Sequence, residues 1–361
     1  MNSGVLRLIS GVGRKGPACF LLEAGGKLIL LDLGEGPPPG CLPDVEGLGR
    51  VDAVVLSHGH KDHVGGLELL PRLGNPPVYA TEAVARALPK SIAARPLPVV
   101  GRTDVLGLAL ETGRNGHAPG GIWLHFGIGG GFLYTGDYCA ESILYDYDPP
   151  AKPAATALID CSYGDYQQPL VECWNKLAPF LMRGPLLLPV PANGRGPEIA
   201  LDLMRHGAGE IYVDDAMQNA LQHLAGSDRI SLRAGVGGEI ERLAHLVKPI
   251  DGARGVMLAA SADGASGASA KLLSQFEEKP EVTILFTGYI NPNTPAERLT
   301  KHGRAQTLRW NVHPRLTDTV TLVKSVGATT VIPAFCDRAQ LAALATALAP
   351  AQVTMDEPIE F

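Results

Sequence analysis

The stretch Ser57-His58-Gly59-His60-Lys61-Asp62-His63 indicates what kind of protein this is. It follows the apolar run Val51–Leu56, which we predict to be a buried strand, and it leads into a predicted helix over Val64–Leu73. In an extended segment, residues two apart point to the same side, so His58 and His60 face one way while Asp62 and His63 begin the helix. One loop can therefore supply ligands to two adjacent cations. Imidazole and carboxylate are ligands that suit zinc.

The alternative interpretation of this stretch is a polar surface loop that happens to contain histidine. Only ten histidines occur in the chain, and three of them lie here. This concentration favours metal ligation.

Length and composition exclude several classes of protein. The chain has 361 residues, which allows two domains or one large one, and 45% of them are hydrophobic, which excludes global disorder. A net charge of -6 argues against a polybasic nucleic-acid binder, although it leaves room for a local basic groove.

Targeting signals and cysteine usage bear on location. The N-terminus does not resemble a signal peptide, and the longest apolar runs, such as Leu186–Val190, are far too short to cross a bilayer. The six cysteines are scattered without a Cys-x-x-Cys pair, which favours reduced thiols. We therefore expect a cytoplasmic protein with no membrane partner.

The hydrophobic pattern changes along the chain. The first third consists of short strand-like runs, such as Cys19–Leu22 and Leu28–Leu33, which predict successive strands of two sheets. After about Asp165, strand-like runs alternate with helical ones. This alternation predicts parallel α/β layers in the second part of the chain.

Four motifs in order resemble those of the metallo-β-lactamase fold. His58-x-His60-x-Asp62-His63 resembles the family's signature. Asp32 at the end of Leu28–Asp32, His117 in Asn115–Gly120, and Asp137 in Leu133–Tyr138 resemble the first, third and fourth motifs. The fold that this resemblance implies is a four-layer αββα sandwich.

The same resemblance implies a role for each of these residues. The first metal would be held by His58, His60 and His117, the second by Asp62 and His63, and Asp137 would bridge the two. Asp32 would steady a ligand from behind. Two zinc ions are the expected cofactors, with manganese as the alternative metal.

Further segments resemble the β-CASP nucleases, which carry an inserted α/β domain. Leu158–Asp165 is similar to their motif A, with Asp160, and Trp310–Pro314 to their motif B, with His313. The implied domains are 1–165 and 307–361 for the lactamase fold and 166–306 for the insert. Four other segments also match the family: Pro189–Glu198, Tyr212–Met217, Leu258–Gly264 and Phe286–Tyr289.

The resemblance implies a phosphodiesterase that acts on single-stranded RNA or DNA. His313, steered by Asp160, would be an acid or a phosphate contact near the leaving oxygen, and Asp62 and Asp32 complete the candidate catalytic residues. Arg195 lies between two glycines that let its guanidinium approach a phosphate. The candidate substrate contacts are Gly194, Arg195, Ser261 and Gly288.

Two departures from the family pattern matter. Pro314 and Arg315 follow motif B, where alanine and aspartate are usual. In Val331–Asp337, Phe335 aligns with a histidine that usually binds the second metal, and phenylalanine cannot ligate. That site would then have only three ligands unless Asp337 or water completes it.

Two other functions are compatible with these residues. One is hydrolysis of a small ester, thioester or lactone at the same metals, which an insert covering the site disfavours. The other is a non-catalytic nucleic-acid-binding protein that has lost its second metal, which the retention of all four lactamase motifs disfavours. A homodimer is left open.

Overall fold

The computed structural model describes residues 3–361, which divide into two compact units. The first unit contains the chain up to Ala140 together with Tyr147–Gln167 and His313–Phe361. The second contains Glu141–Asp146 and Gln168–Val312, and so interrupts the first in sequence. The domain types assigned to 1–165, 166–306 and 307–361 stay predictions.

The first unit contains two seven-stranded sheets, with strands numbered in chain order through the whole protein. The first sheet has the order β20-β1-β2-β3-β4-β5-β6. Its strands are β1 Gly4–Ser10, β2 Cys19–Ala24, β3 Lys27–Leu31, β4 Ala53–Val55, β5 Val78–Ala80, β6 Ala94–Pro96 and β20 Ile359–Glu360.

The second sheet has the order β19-β18-β11-β10-β9-β8-β7. Its strands are β7 Gly101–Val105, β8 Leu108–Arg114, β9 Ile122–Phe126, β10 Phe132–Tyr134, β11 Thr156–Asp160, β18 Thr330–Ala334 and β19 Gln352–Val353. Strands β10, β11 and β18 are parallel neighbours, so their carboxyl ends meet at one edge.

The two sheets pack face to face over one apolar core. Phe20 and Ile29 of the first sheet belong to the same buried cluster as Leu124 and Phe132 of the second. The helices outside are α2 Glu82–Ala87 with a 3-10 helix Leu67–Leu73 on the first sheet, and α9 Leu316–Val326 with α10 Leu341–Leu348 on the second. The predicted four-layer αββα sandwich is confirmed.

The segment after the histidine-rich stretch differs from its prediction. Instead of one α-helix over Val64–Leu73, it forms a single turn, α1 Lys61–Val64, and the separate 3-10 helix Leu67–Leu73. Gly65 and Gly66 lie between the two pieces, and Pro71 cannot donate a backbone hydrogen bond. A continuous α-helix is therefore disfavoured at this point.

The second unit has one six-stranded parallel sheet with helices on both faces. Its order is β14-β13-β15-β12-β16-β17, with β12 Leu186–Pro189, β13 Ile211–Val213, β14 Lys248–Pro249, β15 Val256–Ala259, β16 Thr283–Phe286 and β17 Gln306–Thr307. The helices are α3 Leu170–Leu177, α4 Arg195–Arg205, α5 Asp215–Ala225, α6 Gly237–Leu246, α7 Gly267–Phe276 and α8 Pro295–Lys301, with 3-10 turns at Ala178–Met182 and Arg229–Ser231.

The apolar cores explain this arrangement. Helices α4, α5 and α6 pack in one buried cluster with the sheet, and α7 and α8 pack in another. A parallel sheet needs such cover on both faces, so the predicted alternation of strands and helices is confirmed.

Helix length bears on any membrane contact. The longest helices between residues 3 and 361 have 11 residues. A membrane-spanning helix needs about 20 apolar residues. None of the described helices meets that requirement.

Candidate metal centre

The predicted ligands come from loops at the ends of strands in the first unit. After β4, the chain passes through Ser57 and His58 outside any strand or helix, and His60 is extended just before α1. The amides of His63 and Val64 then donate to the His60 carbonyl, at 2.9 and 3.0 Å. This single turn separates His58 and His60, which precede it, from Asp62 and His63, which lie within it.

The other ligands arrive from the second sheet. His117 lies in the loop after β8, and Asp137 follows β10 directly. Gly136 adopts a φ of 54°, and a Cβ there would lie 2.6 Å from Ser57 Oγ. Only glycine lets the Asp137 loop come this close to the histidine-rich stretch.

Three imidazoles and a carboxylate form the first ligand group, consisting of His58, His60, His117 and Asp137. Asp137 Oδ2 lies 3.7 Å from His58 Nε2 and 3.5 Å from His117 Nε2. Ligand atoms around a tetrahedral zinc ion stand roughly 3.3 Å apart, from its bond lengths of about 2 Å. These separations match that requirement.

A buried nitrogen of His58 tests independently whether the first ligand group fits a metal ion. His58 is fully buried, and its Nε2 has no hydrogen-bond partner among the residues that the structure describes. A buried polar atom without a partner is costly unless a ligand completes it. The donor set and this atom both fit a metal ion.

A second ligand group shares the same aspartate. It consists of Asp62, His63 and Asp137, and His63 Nε2 lies 3.2 Å from Asp137 Oδ1. The first group uses Oδ2 of this carboxylate and the second lies nearest Oδ1. Asp137 therefore faces both ligand groups.

Asp32 stands behind the second group. Its Oδ2 lies 2.7 Å from His63 Nδ1, so the ring presents Nε2 to the ligand side. The same carboxylate accepts hydrogen bonds from the Ser57 amide and hydroxyl, both at 2.7 Å, and from Tyr134 OH at 2.5 Å. The sequence did not predict roles for Ser57 and Tyr134. The available signal was that Ser57 directly precedes His58 and that Tyr134 lies in the segment Leu133–Tyr138.

The pKa values of three buried groups, His58, His63 and Asp137, are shifted in different directions. Burial lowers the pKa of His58 well below its usual value, and the nearby His63 and His60 act in the same direction, so His58 is neutral. For His63, burial lowers the pKa, but Asp137 and Asp32 outweigh it and raise the pKa well above the usual value.

The pKa of Asp137 is shifted in the opposite direction to that of His63. Burial opposes its ionisation, but His63 and His313 outweigh burial and hold its pKa well below the usual range. The cluster therefore contains a carboxylate that stays ionised and a neutral imidazole with a free nitrogen. Metal ligands need both properties.

A third group lies beside the first two. His313 Nδ1 is 2.8 Å from Asp160 Oδ2 and 3.7 Å from Asp137 Oδ2. Asp160 is fully buried, and the amides of Ser162 and Tyr138 donate to its carboxylate at 2.9 and 3.3 Å. The carboxylate is thereby fixed beside the His313 ring.

The second departure from the family pattern, Phe335, lies at this site. Phe335 follows β18, and its ring centroid lies 5.2 Å from that of His63, in edge-on contact. Asp337 is exposed, and its carboxylate accepts from the Ala339 amide at 2.9 Å, capping the turn Arg338–Gln340. Asp337 is absent from the ligand groups found among residues 3–361, so it does not complete the second one.

The predicted substrate contacts all lie in the second unit, at the carboxyl end of its parallel sheet. Gly194 and Arg195 follow β12, Ser261 follows β15 and Gly288 follows β16. A Cβ on Gly288 would lie 2.3 Å from the Arg195 guanidinium, so these two residues are packed together. Ser261 Oγ donates to Asp263 at 2.9 Å.

Comparisons with known proteins show which proteins this chain is similar to. Residues 12–181 match the Metallo-beta-lactamase superfamily. The chain is 32% identical to Ribonuclease TTHA0252 of Thermus thermophilus over 55% of this chain and 56% of that protein. It is 25% identical to Transcription termination factor FttA of Methanosarcina mazei over 86% of this chain and 61% of that protein.

A solved structure extends the comparison to the whole chain. The crystal structure of a protein of unknown function from Enterococcus faecalis V583 matches over 100% of both chains, with a TM-score of 0.62 and 13% identity. This likeness shows the fold alone. The present chain covers 38%, 61% and 56% of the length of three curated relatives that it matches over long segments.

Proposed function

We propose that this chain, whose residues 12–181 match the Metallo-beta-lactamase superfamily, is a metal-dependent phosphodiester hydrolase of single-stranded RNA or DNA. The observation that carries the proposal is the pair of ligand groups that share Asp137, with the His313–Asp160 pair beside them. The proposed metals are zinc ions, with manganese as the alternative.

The chain's own residues prepare the site. His58, His60 and His117 would hold one ion, and Asp62 and His63 the other, with Asp137 between them. When bound, such ions lower the pKa of a shared water and stabilise charge at phosphorus. Asp32 fixes the His63 ring by accepting at Nδ1, which keeps Nε2 on the side of Asp137, where it would face the second ion.

His313 is the candidate acid. Its Nδ1 is engaged by Asp160, which leaves Nε2 as the nitrogen that can hold a proton for the leaving oxygen. The ring centroid lies 5.1 Å from that of His117, a ligand of the first group. A group so placed next to the ions can protonate the oxygen that departs from phosphorus.

The nucleic-acid substrate is supported by the relatives. One of them is named a ribonuclease and the other a transcription termination factor. We propose that the second unit is a β-CASP insert and that Arg195, with Gly194, Ser261 and Gly288, contacts the substrate backbone. Homodimerisation and a cytoplasmic location, where the six free cysteines would stay reduced, remain predictions.

Cleavage of end-labelled single-stranded RNA and DNA tests the proposal. The protein, loaded with Zn²⁺ or Mn²⁺, should shorten at least one of the two, and a chelator should stop the reaction. His313→Ala should slow cleavage by about 100-fold without lowering the metal content, because it removes a proton donor and no ligand of either bridged group. His245→Ala, at an exposed position of α6, is the matched control.

Two results would contradict the proposal. Hydrolysis of a thioester or lactone without any cleavage of nucleic acid would indicate a small-molecule hydrolase. Binding of single-stranded RNA or DNA without turnover in either metal would indicate a binding protein.

A further inference from the structure

We propose that the metal centre is asymmetric: the first ligand group binds its ion at least about tenfold more tightly than the second, because Phe335 makes the second group a three-ligand site. The inference rests on one part of the function proposed above, the binding of metal ions, and does not require cleavage of nucleic acid. It concerns which ion stays with the protein and which exchanges.

The ligand count is unequal. The first group has three imidazoles of its own in addition to Asp137, whereas the second has only Asp62 and His63 in addition to that shared carboxylate. Two cations about 4 Å apart repel each other, and the bridging charge is divided between them. This repulsion would oppose binding of whichever ion enters second, and the group with fewer ligands would fill second.

Phe335 is held firmly against the second group. Its amide donates to the Gly11 carbonyl at 2.7 Å, and its ring packs with Phe20 at a centroid distance of 6.0 Å. The residue is 5% exposed, and its ring meets the edge of His63. An aromatic hydrocarbon has no lone pair to offer, so this neighbour of His63 contributes no ligand atom.

The residues after Phe335 do not replace the missing ligand. The Cys336 thiol points to the Pro333 carbonyl at 3.9 Å, and burial raises its pKa to about 12, which disfavours the thiolate that binds metal. The Asp337 carboxylate caps the following turn. Between residues 3 and 361, neither belongs to a group of ligand atoms.

The backbone at this position indicates the variant to make. Phe335 has a φ of 62°, in the left-handed region that bulky side chains rarely adopt. Histidine is found in that region several times more often than most other residues. Phe335→His therefore suits the local backbone and places an imidazole beside His63.

Metal counting tests the inference. Metal-free protein is titrated with Zn²⁺ against a competing chromophoric chelator, and the bound metal is counted by mass spectrometry after gel filtration. The wild-type protein should retain one ion, and a second should bind only at a free Zn²⁺ concentration at least about tenfold higher, since even loss of a residue behind a ligand weakens metal binding by 10–100-fold. Phe335→His should retain two ions.

Three variants assign the ions and control for folding. Phe335→Leu removes the ring without adding a ligand and should retain one ion, as the wild-type protein does. His60→Ala should lose the tightly bound ion, whereas Asp62→Asn should lose only the weakly bound one. Thermal unfolding of each metal-free variant verifies that it is folded.

Several results would overturn the inference. They are two equally tight ions in the wild-type protein, a folded Phe335→His variant that still retains one, or loss of the weakly bound ion in His313→Ala, which would place that ion in the third group. Counting ions needs no nucleic acid. A protein that holds one tight ion and cleaves nothing would therefore contradict the proposed function and leave this inference standing.

Discussion

The metal centre of the first unit and the sheet edge of the second unit use different parts of the polypeptide. The centre is built from buried and half-buried ionisable side chains, whose identity fixes what they bind. The sheet edge is built from glycine-containing loops after parallel strands, one of which carries Arg195. A side-chain site should therefore fail completely when one residue changes, whereas a backbone-rich site should only weaken.

The largest effect is expected in the metal centre. His60→Ala should reduce cleavage by more than about 100-fold and lower the zinc content, because a direct ligand matters more than the groups behind it, whose loss costs 10–100-fold. Metal analysis and the rate on labelled RNA and DNA measure both. Cleavage at the wild-type rate would remove the metal mechanism altogether.

An intermediate effect is expected at the sheet edge. Arg195→Ala should raise the concentration of nucleic acid needed for half-maximal cleavage by about tenfold, since a charged hydrogen bond contributes about 1.5 kcal/mol, with little change in kcat. Arg195→Lys should recover part of the loss, and the dependence on salt should become shallower.

Arg298→Ala is the matched control for this arginine. The Arg298 guanidinium already pairs with Glu277 at 2.5 Å, so its removal should leave substrate binding unchanged. Equal effects of the two substitutions would mean that the sheet edge contributes only general positive charge.

The smallest effect is expected at an ion pair of the first unit outside the metal centre. Asp148 accepts from Arg114 Nη2 and Nε, at 2.7 and 2.9 Å, at the end of β8 from which the His117 loop departs. Burial opposes ionisation of Asp148, but Arg114 outweighs it and lowers the pKa. Asp148→Asn should cost about 1 kcal/mol of stability and leave the metal content unchanged, because the pair is partly exposed.

The pH dependence of this pair has a definite sign. A carboxyl group with a lowered pKa in the folded state stabilises the protein above its ordinary value of 3.8, and that contribution is lost as pH falls through the folded-state pKa. The difference in the free energy of unfolding between the wild type and Asp148→Asn, measured in urea, should therefore shrink below pH 3.8. Asp165→Asn, at an exposed position, should show no such difference, and a gap that widens in acid would contradict this assignment.

Some features of this protein could be read directly from the sequence. The spacing of His58, His60, Asp62 and His63 puts two imidazoles before the turn α1 and two groups within it, because this spacing is local. The alternation of strands and helices in the second unit is likewise local, and it predicted a parallel sheet. The helix predicted over Val64–Leu73 was wrong, because the Gly65-Gly66 pair and Pro71 outweighed its apolar spacing.

The remaining features depend on contacts between distant residues. The pairing of His313 with Asp160 joins residues 153 apart, and the packing of Phe335 on His63 depends on where β18 ends relative to α1. The sequence determined which ligand atoms are available, because it specifies residue type and local spacing directly. Only the tertiary structure decided that Asp137 faces both ligand groups, that Ser57 and Tyr134 hold Asp32, and that Asp337 turns away, because these depend on how close the packed sheets bring their loops.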